Sequence, residues 1–289
     1  MEAGDPMLVN LVFLLVLHLI VWIIARSSRS LDGFLLLRGA SVASVAILSL
    51  PASQLGGVRA VVISVLALGW GVRLALHHHF REQRLGGERW LKAWVDAAGP
   101  DWHSKALRKL VLPQVVVLWA ATATIQHGII AGAPLAISVL DVLGVVVVLG
   151  GVLFEAAADR QLLLFRQTVD GRSGVLDKGL WEFSRHPNHF GAVVASWGFY
   201  LLAASAGDGL WGLGGALLCT LWFVRLAGRR QEDGIGLRRP GYALYARRVS
   251  PFFPKPAKTA GTARMPESAL KFFEPPPGDA QDPPSDTPG

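Results

Sequence analysis

The 289-residue chain is poor in charge: Asp, Glu, Lys and Arg make up 17% of it, against 52% hydrophobic residues. Soluble globular domains carry about 25% charged residues, so composition excludes a water-soluble fold. A mean hydropathy of +0.40 agrees with an integral membrane protein. One cysteine, Cys219, excludes an internal disulfide, so the fold needs no oxidising compartment. No thiol or carboxylate accompanies His77-His78-His79 at ligand spacing. Adjacent helical residues splay by about 100°, so at most two of these imidazoles converge and no metal site is expected. Tyrosine is scarce as well, and Tyr200, Tyr242 and Tyr245 all fall in the last third. The net charge of +7 does not imply nucleic acid, because the basic residues sit in short clusters between apolar segments, where membrane topology accounts for them.

Long apolar runs are what the chain has instead. About seven are long enough to cross hydrocarbon, near residues 7–25, 39–55, 58–76, 110–126, 134–158, 189–206 and 210–227. No basic stretch precedes the first and no small-residue cleavage site follows it, so it reads as a retained span rather than a signal peptide. The loops alternate in charge. Arg26, Arg29 and Arg38 follow the first span, a basic run from Arg81 to Lys109 follows the third, and Arg160 to Arg185 follows the fifth. The opposite side receives Glu2, Asp5, Arg59 and Asp208. This predicts an all-α, multi-pass protein with its N-terminus outside and its C-terminus in the cytoplasm. The host membrane is the plasma membrane in a bacterium, or the endoplasmic reticulum or another organelle membrane in a eukaryote. Residues 1–254 are expected to form one membrane domain. Residues 255–289, rich in Pro, Gly, Asp and Ser, are expected to be a disordered cytoplasmic tail. The stretch 77–109, with Trp90, Trp94 and Trp102, reads as an interfacial amphipathic loop.

Three constellations carry chemical potential. Glu155 and Asp159 stand four apart near the end of the fifth span, and Arg166 follows Asp159 by seven, so all three share a helix face. Ionisable groups at the edge of hydrocarbon are expensive without partners and mark function. The block Ser184-Arg185-His186-Pro187-Asn188-His189 lies between two apolar runs. Its imidazoles, guanidinium and amide surround a proline that forbids helix at His186, a donor-rich turn suited to a phosphate or carboxylate. The run from Arg229 through Glu232 to Tyr242, Tyr245 and Arg247 closes the membrane domain; it suits either anionic lipid or a cofactor. Together these point to an anionic cofactor held at the cytoplasmic face.

The pattern Phe154-Glu155, Ala158-Asp159-Arg160-Gln161, Phe165-Arg166, Gly179-Leu180-Trp181, Ser184 to Asn188 and Phe190-Gly191, with Tyr242 to Pro254, resembles the steroid 5-alpha-reductase C-terminal-like family, also known as DUF1295. Upstream, Trp70-Gly71-Val72-Arg73-Leu74 and Gly87-Glu88-Arg89-Trp90 fit it too. The resemblance implies a seven-helix membrane reductase that uses NADPH to reduce an enone-type double bond of a lipid. It further implies that Glu155, Asp159, Arg166, Arg185, His186, Asn188, His189, Glu232, Tyr245 and Arg247 line the cofactor site. Within that set, Asn188 and His189 meet the nicotinamide side, and Arg166 and Arg247 serve the phosphates. Steroid reductases use an early tyrosine on the substrate carbonyl; here Trp70 stands near that place, and no catalytic acid is assigned. The implied partners are a lipid-like substrate and membrane lipids, with no protein partner. Two other classes stay open: an S-adenosylmethionine-dependent lipid or isoprenylcysteine-type methyltransferase, which shares the His-Pro turn, and a non-catalytic lipid or sterol binder.

Overall fold

A computed structural model describes residues 5–53, 57–131, 136–168, 174–207, 209–229 and 241–258. Among the described residues the chain is all-helical, with no strand. Helix α1 (Pro6–Ser28) starts at Asp5, whose side chain accepts from the Met7 N–H at 2.9 Å, with Pro6 at the first position, where its missing N–H costs nothing. Then come α2 (Gly33–Ser49), α3 (Val58–Leu85) and the amphipathic α4 (Arg89–Ala98). The next pair, α5 (Trp102–Ala121) and α6 (Ala123–Ile130), bends by 40° at Thr122. Long α7 (Val139–Gln167), α8 (Pro187–Ala204), α9 (Gly209–Arg229) and short α10 (Tyr242–Arg248) complete it.

By length and composition, α1, α2 with its following turn, α3 and α7 are each able to cross a membrane, and the bent α5–α6 pair makes a fifth candidate. Their outward faces suit hydrocarbon. Leu8, Val12, Val16, Ile20 and Ile23 line the exposed side of α1, and Val142, Val146, Leu149 and Leu153 that of α7. Two segment assignments differ from the sequence expectation. Arg38 lies within α2 rather than in a loop, and α3 runs on through His77-His78-His79 to Leu85, because no helix breaker intervenes before Gly86 at φ +75°. The loop expected over 77–109 is therefore mostly helix. Its Leu91, Val95 and Trp102 are buried against Leu31, Phe34 and Leu37, so the apolar face of this amphipathic segment packs on the bundle.

Small residues set the spacing of the helices that matter most. On α7, Gly144 and Gly151 face Gly198 and Gly191 of α8; a Cβ at Gly191 would stand 2.6 Å from the Glu155 N and 2.8 Å from the Gly151 O. Only glycine permits this backbone contact, the small-residue packing that replaces a hydrophobic drive between apolar helices. Likewise a Cβ at Gly71 of α3 would sit 2.6 Å from the Gly39 O and Ala43 N of α2. Polar groups join the remaining helices. Buried Asn10 donates to Ser49 Oγ at 2.9 Å and Gln126 Oε1 at 3.0 Å, linking α1, α2 and α6.

Helices α3 and α7 run parallel and in register. Near their starts, Arg59 grips Asp141 through Nε at 2.7 Å and Nη2 at 2.9 Å, while Ser205 at the end of α8 donates to the same carboxylate. Fourteen residues further along both helices, Arg73 meets Glu155. At 1.5 Å per residue, the two ion pairs bracket about 21 Å of paired helix.

Candidate functional site

The second of those pairs is the centre of a polar cluster. Trp70, Arg73 and His77 occupy one face of α3 at spacings of three and four, and Glu155 and Asp159 occupy the facing stripe of α7. Arg73 bridges both carboxylates: Nη2 lies 2.6 Å from Glu155 Oε2 and Nη1 lies 2.8 Å from Asp159 Oδ2. The Trp70 indole donates to Glu155 Oε2 at 2.7 Å. From the first turn of α8, Asn188 Nδ2 donates to Asp159 Oδ1 at 3.0 Å, and His77 Nε2 lies 3.8 Å from that oxygen. Both carboxylates are buried, and each is held by partners from other helices. The close α7–α8 approach at Gly151 and Gly191 is what brings Asn188 to Asp159.

Of the residues named from the sequence, the structure brings Glu155, Asp159 and Asn188 together here. Arg166 lies further along α7, half-buried, on a narrow crevice shared with His77, Arg81 and Asp159. His189 stacks between His186, at a 5.3 Å centroid distance and 7° between planes, and Phe223 at 4.7 Å. Two buried atoms on this turn, Asn188 Oδ1 and His189 Nδ1, have no hydrogen-bond partner, and the same is true of His78 Nδ1 on α3. Buried polar atoms are nearly always satisfied, so these atoms are open to a further hydrogen-bonding partner.

The turn itself is held by the closing segment. The Ser184 hydroxyl donates to Phe252 O at 2.6 Å, and the Arg185 N–H donates to Ser250 O at 2.8 Å. His186 Nδ1 lies 2.9 Å from Pro251 O. Tyr245 donates its hydroxyl to Trp181 O at 2.8 Å, and Trp181 in turn donates to Ala158 O at 3.1 Å. Burial, with Tyr242 nearby, pushes the Tyr245 phenol pKa up, keeping it the neutral donor this contact needs. His186 and Tyr245, expected at the cofactor, are therefore engaged in stapling the turn to residues 241–258. Arg185 and Arg247 are half-buried beside the same staple. Glu232 lies outside the described residues, as does the tail from 259 onward; 255–258 are irregular chain, with the Lys255 N–H bonded to Phe183 O.

A cleft of about 470 Å³ opens between α3 and α7 beside the cluster, reaching Arg73, His77 and Asp159. A model of a family described as a protein of unknown function, DUF1295, matches residues 21–249, which takes in the cluster and the turn and stops just before Ser250. The chain belongs to the DUF1295 family. No curated protein and no solved structure matches it.

Sequence reasoning missed Arg73, the hub of this DUF1295 site, as a site residue. The signal was there: Arg73 is the one charge between Arg59 and Arg81 on a long apolar helix, and such a charge needs a partner within the bundle. His77, considered from the sequence only as a metal ligand, faces Asp159 and the cleft.

Proposed function

We propose that this DUF1295 chain is a membrane-embedded NADPH-dependent reductase acting on a carbon–carbon double bond of a lipid or steroid-like enone. The observation that supports it is the buried Arg73–Glu155–Asp159–Asn188 cluster, which borders the cleft at Arg73 and Asp159 and carries an unsatisfied oxygen on Asn188, with an unsatisfied ring nitrogen on the neighbouring His189. Those residues fit a nicotinamide: an orphan amide oxygen suits a carboxamide N–H, and an orphan imidazole nitrogen suits its carbonyl or ring edge. Arg166 and Arg247 would hold the phosphates, with Arg185 beside them. When bound, NADPH supplies a hydride to one carbon of the double bond.

The chain's own contribution is position and polarity. Asn188 is oriented by Asp159, and Asp159 is oriented by Arg73, so the amide that meets the cofactor is fixed through two buried contacts. Trp70 spends its N–H on Glu155, so it does not replace the early tyrosine as a proton donor. In this reading α1, α2, α3, α5–α6, α7, α8 and α9 give seven crossings, with the N-terminus outside and the cluster, the turn and the C-terminus on the cytoplasmic side. Residues 1–254 act as one domain. A second reading, a non-catalytic lipid or sterol binder, draws on the same Trp70 contact, because no phenol stands at the cleft.

Calorimetry on wild type and Asn188→Ala tests the assignment. Wild type is expected to bind NADPH and not S-adenosylmethionine, and the variant to lower turnover by on the order of a hundredfold with protein yield unchanged. Binding of S-adenosylmethionine with no NADPH response makes the protein a methyltransferase; binding of neither leaves the lipid-binder reading.

A further inference from the structure

The cleft between α3 and α7 carries charge that the cluster does not use. Arg73 is matched by Glu155 and Asp159, but Arg84 and Arg160, which also line the cleft, are exposed and make no ion pair or hydrogen bond among the described residues. The cleft also has an apolar strip, beside the paired Arg73, His77 and Asp159. Val72, Leu76 and Phe80 are roughly half exposed along α3, and at Gly69 a Cβ would meet nothing within 4 Å. Gly69 and Arg84 are fifteen residues apart on one helix, so the cleft runs about 22 Å along it. Arginine side chains extend toward the interface, which brings the Arg84 and Arg160 guanidiniums to the mouth while the walls stay in hydrocarbon.

We propose that this cleft is a binding site for an anionic phospholipid, with its phosphate held between Arg84 and Arg160 and one acyl chain laid along Gly69, Val72 and Leu76. Guanidiniums from two helices line the same cleft, and its one carboxylate, Asp159, is already held by Arg73. A phosphate offers oxygens to both, each taken by a charge-assisted fork. A zwitterionic lipid returns a positive charge to the same place. A volume of about 470 Å³ accommodates one chain and part of a head group. The site goes beyond the reductase reading, since it needs no cofactor.

The test uses the full chain in phosphatidylcholine nanodiscs doped with phosphatidate, without NADPH, and counts retained lipid by native mass spectrometry after mild detergent release. Phosphatidate is expected to be retained over phosphatidylcholine. The double variant Arg84→Gln, Arg160→Gln is expected to lose that preference by roughly tenfold or more, and Gly69→Leu to lower retention of the lipid whatever its head. Added inorganic phosphate is expected not to displace it. Equal retention of the two lipids by wild type, or an undiminished preference in the double variant, overturns the phosphate site. Unchanged retention in Gly69→Leu overturns the placement of the chain, and displacement by inorganic phosphate shows a free-anion site instead. None of these outcomes bears on NADPH binding, which is measured separately.

Discussion

Replacing Arg73 with Gln tests the frame of the site directly. Arg73 is the only cation in contact with Glu155 and Asp159 among the described residues, apart from the imidazole of His77 at 3.8 Å. The two carboxylates expose 7% of their side chains and Arg73 exposes 22%. Removing one partner of a buried ion pair costs about 3–5 kcal/mol, because the charge left behind is neither solvated nor paired. Arg73 is partly wet and Asp159 keeps Asn188, so the lower end, about 3 kcal/mol, applies. For a chain of this size 1 kcal/mol moves the melting temperature by about 2–4 °C, so Arg73→Gln should melt about 6–12 °C below wild type. Differential scanning fluorimetry in detergent reads the shift. Arg73→Lys should recover only part of it, since a single ammonium cannot bridge two carboxylates as the guanidinium does. The triple variant Arg73→Met, Glu155→Gln, Asp159→Asn should return most of the stability while abolishing NADPH binding. A melting temperature for Arg73→Gln within 1 °C of wild type would refute the claim that the cluster is buried and mutually dependent.

Three further outcomes follow from other contacts. Gly191→Val should separate α7 from α8 and remove the Asn188–Asp159 hydrogen bond, giving at least the loss of turnover expected of Asn188→Ala together with a lower melting temperature; a fully stable Gly191→Val would contradict the backbone contact. Asp141→Asn should cost about 3 kcal/mol by removing the carboxylate charge that Arg59 grips, with cofactor affinity unchanged because the pair lies about 21 Å from the cluster. Tyr245→Phe should cost about 1 kcal/mol at neutral pH. The Tyr245 pKa is raised on folding, so its stabilising contribution is complete below the unfolded value near 10 and is lost as pH rises from there toward the folded one. The gap between wild type and Tyr245→Phe in an alkaline unfolding series should therefore narrow in that window, and a constant gap would show that the phenol is not buried as described.

Much of this architecture is legible in the sequence because it rests on local rules. The apolar runs mark the helices, Pro187 places the start of α8 at the residue after His186, and the spacing of Glu155 and Asp159 puts both on one face. Segment ends were less legible. No glycine or proline lies between Leu76 and Gly86, so α3 continues through its histidines, a tertiary choice favoured by burial of His77 against Asp159. The position of α2, about six residues earlier at both ends than its apolar run, follows from a docking contact: Asp32 accepts from the Glu88 N–H at 2.9 Å.

The candidate site was half legible for a related reason. Sequence spacing reports which residues share an element, and so it found the α7 carboxylates and the turn at 184–189. It is silent about which elements meet. Arg73 and Glu155 are 82 residues apart, and only the equal fourteen-residue steps from Arg59 and from Asp141 show that two parallel helices were built to present them at the same depth. The same limit hid the work of His186 and Tyr245. Both belong to types that bind ligands, yet each is taken by a carbonyl across the staple, His186 by Pro251 O of the closing segment and Tyr245 by Trp181 O ahead of the turn. The closing segment is consequently part of the site's wall: the turn that carries Asn188 and His189 has its Ser184, Arg185 and His186 bonded to Phe252, Ser250 and Pro251 in succession. A ligand that reaches the orphan atoms of Asn188 and His189 therefore meets a surface fixed from one side by the α7 carboxylates and from the other by residues 250–252, with little freedom left to reorganise on binding.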